Sequence, residues 1–259
     1  MTVELVTEGA TVRIDPDHGA RLASLQLGGH EVLVTDDPEA TGWGCYPMVP
    51  WAGRVREGRF HWRGQTVQLP LGAPPHAIHG TVFDQPWQSV GPARFRAEFG
   101  PHWPWSGTVE SAFELVPGQL RWTLTVRGRE PMPVTLGWHP WFRRQVDGLG
   151  RASLNFDPHL MYARDAAGIP SGTLVTPPDG PWDDCFTDLV SNPSVQYSDG
   201  TVIEVSSSCD HWVVYDERDY AFCVEPQSAP PDAFNLGPTA IAAPGTPVVH
   251  HMALVWQRP

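Results

Sequence analysis

The chain lacks most of the signals that mark a cofactor enzyme, a membrane protein or a nucleic-acid binder. Its 259 residues hold four cysteines, Cys45, Cys185, Cys209 and Cys223, far apart and without a Cys-x-x-Cys pair. That is too sparse for a disulfide framework and predicts free, half-buried thiols in a reducing cytoplasm. No apolar run approaches the ~18 residues that a spanning helix needs. The opening MTVELVTEGA has neither the basic nor the apolar region of a secretory signal. Basic charge is scarce: 17 Lys and Arg against 29 Asp and Glu leave a formal net charge of -12. Such a balance argues against nucleic acid and anionic membrane as partners, and suits a small neutral ligand. Nucleophile elbows, metalloprotease helices, phosphate-cradling loops and dinucleotide fingerprints are all missing, so no metal and no cofactor is expected.

Turn formers and tryptophan are abundant instead. The 25 glycines and 28 prolines are spread along the chain and not gathered into a tract, which predicts many turns and not a linker. Helical periodicity is scarce, whereas period-two alternation recurs. Arg21 to Val34 reads as two strands around Gly28-Gly29, and Arg59 to Leu69 as a hairpin turning near Arg63-Gly64. Thr108 to Val126 alternates, turns at Pro117-Gly118 and alternates again, and Asp199-Gly200 turns a fourth hairpin. Further strands are expected at His211 to Asp216, Tyr220 to Glu225 and Val248 to Trp256. Strands joined by short turns predict an all-β chain, a large antiparallel β-sandwich, with residues 1–259 forming a single domain. Most of the 12 tryptophans belong in its core, with a few available as flat platforms for a ligand.

Four loop segments and one strand carry polar residues that propensity does not explain. In the run AFCVEPQSAPPDAFN, Glu225 shares a strand face with Cys223 and Ala221, while Phe222 and Val224 point the other way. LGWHPWF sets His139 at a second strand-to-loop switch, held extended by the following proline and flanked by Trp138 and Trp141. An imidazole and a carboxylate presented to one cleft make a general acid and a general base. Arg54 follows Gly53, a pairing that permits close approach to a ligand and offers a fork of donors; Arg56 reads as merely solvated. The pair His76 and His79 has no further ligand spaced to complete a metal site. GPWDDCF supplies Asp183 and Asp184, either of which can accept from ligand hydroxyls or cap its own turn.

Taken together, GRVREGRF, QLPLGAPPHAIHG, GWHPWF, WDDCF and VEPQSAPPDAFN resemble, in order, the aldose 1-epimerase (galactose mutarotase) family, over roughly residues 45–235. The resemblance implies the galactose mutarotase-like supersandwich and interconversion of α and β anomers of a free monosaccharide. It makes Glu225 the general base and His139 the general acid, with His79 near the ring oxygen and Arg54 and Asp183 on sugar hydroxyls. Thr81 stands where many members have a second glycine, which bears on the sugar subsites and not on the acid–base pair. TVFDQPW after His79-Gly80 supplies no phosphate-binding arginine, which favours a non-phosphorylated sugar, whereas Arg143 and Arg144 after HPWF are placed to meet an anionic group. Two rivals share the scaffold: a non-catalytic carbohydrate-binding protein, and a glycoside hydrolase or lyase using Asp183 with Glu225 as its two carboxylates.

Overall fold

A computed structural model describes residues 2–259. Almost every element is a strand, and two antiparallel sheets dominate. The larger, of 11 strands, runs in the spatial order Val3–Thr7, Ala10–Asp15, Arg21–Leu27, Cys45–Met48, Gly137–Arg143, Ala221–Gln227, His211–Tyr215, Asp183–Leu189, Pro158–Arg164 and Pro170–Val175, with His30–Glu31 as a spur on Arg21–Leu27. The other has nine strands and is built around Gly107–Val116, Gln119–Gly128 and Val248–Gln257.

The alternation of the sequence explains the packing. Val109, Phe113, Leu120, Trp122, Leu124 and Val126 are buried, and they meet Leu22, Leu25, Trp138, Phe142, Phe222 and Val224 of the larger sheet in one cluster. Trp122 and Trp138 touch edge to face across the seam, ring centroids 6.4 Å apart. Burying rings of this size is the main source of stability in such a sandwich. A second aromatic group, Trp51, Phe60, Trp103 and Phe234, packs where the proline-rich loop lands on the Arg59–Trp62 strand.

The predicted hairpins at Arg63-Gly64, Pro117-Gly118 and Asp199-Gly200 all form. The one at Gly28-Gly29 is shorter than expected. Its second arm pairs at two positions, Gln26 with Glu31 and Leu27 with His30, and Arg21–Leu27 takes its full-length partner from Ala10–Asp15. The thiols also differ from expectation: all four cysteines are buried, not half-buried, three of them within sheet strands and Cys209 in the connection between Val202–Ser207 and His211–Tyr215.

Candidate active site

The site lies on the face of the larger sheet turned away from the sandwich core, across five neighbouring strands. Odd positions of Gly137–Arg143 and Ala221–Gln227 point to this face, so His139, Trp141, Cys223, Glu225 and Gln227 emerge together while Trp138, Phe142, Phe222 and Val224 feed the core. Gly137 faces Gln227 and Trp141 faces Cys223, so the same register sets His139 across from Glu225. Between those pairs stand Pro140 and Pro226, which have no N–H to give, and the ladder is interrupted there. Both residues therefore sit within strands and not at the strand-to-loop switches that the sequence suggested. Period-two alternation identified the face correctly; the strand containing His139 was missed because proline and three aromatic residues obscure its pattern.

His139 Nε2 stands 3.2 Å from Glu225 Oε1, and the two residues are 6 % and 2 % exposed. The imidazole is clasped between two rings, Tyr46 at 4.7 Å and Trp141 at 5.4 Å, both nearly parallel to it, with His79 edge-on at 5.1 Å. Gln227 Nε2 donates to the other carboxylate oxygen of Glu225 at 3.1 Å. Burial pushes the His139 pKa down to about 3, with Arg21 and Arg54 adding repulsion. Burial raises Glu225 well above the usual carboxylate range; Asp183 adds to this, and the Gln227 bond and Arg54 oppose it. Separated charges are costly without water, so both shifts run in the same direction, toward the uncharged forms of imidazole and carboxyl. His79 is held neutral by the same burial, reinforced by His139 and Arg54.

Arg54 and His79 reach the site from above the sheet. Their segments form a two-residue ladder, Arg54 with Ile78 and Val55 with Ala77, and His79 N–H donates to Gly53 at 3.1 Å. His79 takes a left-handed φ of 59°, followed by Gly80 at 82°, where a Cβ would lie 1.9 Å from the Val49 carbonyl oxygen. That close approach is why glycine follows His79. Gly53 serves a similar end with a different neighbour: a Cβ there would meet Pro231 at 2.7 Å, so its smallness admits the proline-rich loop. Asp232 secures that loop, its N–H donating to Arg54 O at 2.6 Å and its carboxylate accepting from Arg56 N–H at 2.9 Å.

These residues enclose a cavity of about 680 Å³ lined by Arg54, His79, His139, Asp183, Glu225 and Gln227, with Tyr46 and Trp141 among its walls. All five sequence-derived candidates line it. Arg54 Nη1 lies 3.5 Å from Asp183 Oδ2, and Arg164 contacts Asp183 at 3.7 Å and Asp184 at 3.0 Å. Burial raises the pKa of Asp183, opposed by Arg54 and Arg164. Asp184 is buried against Arg164 and stays outside the main cavity.

Several readings need correction. Arg143 and Arg144 do not reach the cavity: the first donates to Leu33 O and Thr35 Oγ1, the second to Asp216 O and Arg218 O. Arg56 is not merely solvated but pairs with Asp165 at 2.7 Å. His76 accepts from Glu57 N–H at 3.1 Å and braces a turn instead of joining His79. Trp138 is core, whereas Trp141 is a cavity wall whose Nε1 donates to Thr41 O at 2.7 Å. Tyr46, Gln227, Arg164 and Arg21 were not singled out. Gln227 shares the parity of Glu225 and was legible; Tyr46 gains its place only through pairing with His139 across 93 positions of sequence, which no local pattern announces. Arg21 is fully buried behind the wall, donating to the carbonyls of His18, Ala40, Trp43 and Phe83.

An antiparallel supersandwich with a polar-lined cavity on its outer face defines the galactose mutarotase-like class of fold. The chain belongs to the aldose 1-epimerase family, whose model matches residues 1–255. Among solved structures it is similar to a galactose mutarotase-like protein from Clostridium acetobutylicum, at 16% identity and a TM-score of 0.86, covering 100% of this chain and 95% of that one. It is likewise similar to galactose 1-epimerase from Lactobacillus acidophilus NCFM, at 17% identity and a TM-score of 0.79, covering 99% and 94%. At such identities the likeness is one of fold. The uncharacterized protein YphB of Escherichia coli strain K12 is 34% identical over 113 residues, a match spanning 40% of this chain and 38% of that relative. Among the described residues no helix is long and apolar enough to cross a membrane.

Proposed function

We propose that the protein is a mutarotase that opens and recloses the ring of a free aldose by general acid–base catalysis. The observation that carries this reading is the 3.2 Å approach of His139 Nε2 to Glu225 Oε1 on one wall of a cavity with ample room for a monosaccharide. Mutarotation removes a proton from the anomeric hydroxyl and delivers one to the ring oxygen. The exposed carbonyl end turns about its C–C bond, and the same two transfers in reverse close the other anomer. In the roles the family resemblance implies, Glu225 takes the hydroxyl proton and His139 supplies the ring oxygen, with His79, Arg54 and Asp183 on the remaining oxygens. Burial favours the uncharged pair, and the 3.2 Å contact allows a proton to transfer from the carboxyl to the imidazole at the start of the cycle. Sugar hydroxyls donating to the carboxylate, together with Arg54, favour that transfer. Each partner contributes roughly 10²- to 10⁴-fold in rate.

The substrate class we favour is a neutral aldose. The two arginines that follow HPWF are bound to backbone carbonyls. Of the cations that line the cavity, Arg54 already faces Asp183, and Arg218 shares the mouth with Asp37, Glu39 and Glu217. Polarimetry of freshly dissolved α-glucose and α-galactose tests the proposal. Wild-type protein accelerates the drift to equilibrium, and Glu225→Gln keeps the fold and sugar binding but loses at least ~100-fold in rate. Wild-type turnover by Glu225→Gln would make the base assignment wrong, and no acceleration by wild type over a panel of aldoses would leave a binding protein.

A further inference from the structure

We propose that His139, Cys223 and Glu225 form a binding site for a thiophilic divalent cation such as Zn²⁺ or Cd²⁺, and that occupancy of this site blocks the acid–base pair. The ligand atoms of the three residues, Nε2 or Nδ1, Sγ and a carboxylate oxygen, lie within 4.8 Å of one another, and all three residues are buried. In a tetrahedral zinc site with Zn–N and Zn–O near 2.0–2.1 Å and Zn–S near 2.3 Å, neighbouring ligand atoms stand roughly 3.3–3.6 Å apart. The 3.2 Å contact from His139 Nε2 to Glu225 Oε1 already has the length of one such edge. Against the 4.8 Å bound, the sulfur needs to close by roughly 1.2–1.5 Å at most to complete the face.

Cys223 reaches this position because it lies two residues before Glu225 on the same strand, and therefore on the same face. The donor set of one sulfur, one imidazole nitrogen and one carboxylate oxygen selects zinc-like ions over magnesium or calcium, which prefer all-oxygen shells. Three protein ligands leave a fourth position, and since His139 and Glu225 line the cavity, that position opens toward solvent and sugar. Binding exchanges protons for the cation: the carboxyl of Glu225 and the thiol of Cys223 each release one proton to solvent, and neutral His139 donates its free ring lone pair. Nothing is oxidised or reduced. The lone pairs used are those that proton transfer to and from a sugar requires, so cation and turnover are mutually exclusive. The inhibition rests on the acid–base reading above; the binding does not.

The test is a titration of the chelator-treated, full-length protein with Zn²⁺ by calorimetry and with Cd²⁺ by the thiolate-to-metal ultraviolet band. One ion binds per chain, and Cys223→Ser weakens it by at least ~10-fold and removes the band, whereas Cys45→Ser, at a neighbouring buried thiol, leaves both unchanged. Each protein is compared with its own rate in zinc-free buffer: added Zn²⁺ slows the wild type but not Cys223→Ser. Should Cys223→Ser fail to fold, X-ray absorption at the zinc edge of the wild-type complex decides, with one sulfur and the rest nitrogen or oxygen expected. A sulfur-free shell, no stoichiometric binding, or unaltered binding by folded Cys223→Ser overturns the site. If the wild type turns over no sugar at all, the mutarotase reading fails while the binding data still decide this one.

Discussion

Tyr46→Phe should stabilise the protein while weakening its activity. Tyr46 is 0 % exposed, and among the described residues its hydroxyl has no hydrogen-bond partner. An unpaired buried hydroxyl costs ~1–3 kcal/mol relative to hydration. Phenylalanine deletes that group and keeps the ring that stacks 4.7 Å from His139, so the imidazole stays clasped. Subtracting a small packing loss where the oxygen was, the net gain is about 1 kcal/mol, or ~2–4 °C in Tm for a chain of this size. Urea unfolding followed by tryptophan fluorescence reads it directly. In the reaction the sign reverses. Burial raises the pKa of the hydroxyl, with Glu225 and Cys223 adding to it, and Tyr46 lines the cavity, so the group is placed to bond the sugar or the pair once a ligand fills that space. One lost neutral hydrogen bond of ~0.5–1.5 kcal/mol lowers kcat/KM by roughly 2- to 10-fold. A site that holds unpaired polar groups ready for a ligand gives up stability for function. Destabilisation of Tyr46→Phe by about 1 kcal/mol or more would show that the hydroxyl has a partner in the free protein, and would refute the reasoning.

Three further perturbations probe other parts of the site. Gly80→Ala forces a Cβ to within 1.9 Å of the Val49 carbonyl oxygen at a φ of 82°, so chemical denaturation should show a loss of at least ~2 kcal/mol; a loss under about 0.5 kcal/mol would contradict the packing described. Arg164→Gln removes a cation that holds Asp183 and Asp184 from the side, and should raise KM several-fold with kcat little changed, whereas an equal fall in kcat would place Arg164 in the chemistry. Arg164→Lys, with a point charge in place of a fork, should restore KM only in part. His139 is held at about 3 in the fold and titrates near the ordinary imidazole value of 6.5 when unfolded, so between these values the unfolded chain takes up a proton that the native chain refuses. Stability attributable to His139 is therefore present above pH ~6.5 and lost as pH falls toward 3, with a slope of up to ~1.4 kcal/mol per pH unit. His139→Gln should flatten that acid limb, and an unchanged slope would show that the imidazole is not buried neutral.

How far the sequence could go is set by the range over which each signal acts. Strand hairpins were legible because a tight turn and two alternating arms are local, as at Pro117-Gly118, where ten residues pair on either side. The faces of Glu225 and Cys223 were legible for the same reason, since parity along one strand needs no knowledge of its neighbours. Arg143, Arg144 and Arg56 were misread because whether an arginine meets a ligand or a carbonyl depends on chain brought from elsewhere: Leu33, Arg218 and Asp165 in these cases. Tyr46 and Arg21 were invisible for a stricter reason. Nothing about a tyrosine in CYPMV predicts that its ring will lie on an imidazole, or that a guanidinium will stand 5.4 Å behind it, spending its donors on four carbonyls of other loops. The acid–base residues could be named from their own strands. The wall that buries them, and so sets their protonation, is assembled by sheet order. Because desolvation is the first cause of the shift in both His139 and Glu225, their reactivity is a property of that assembly more than of the two residues themselves.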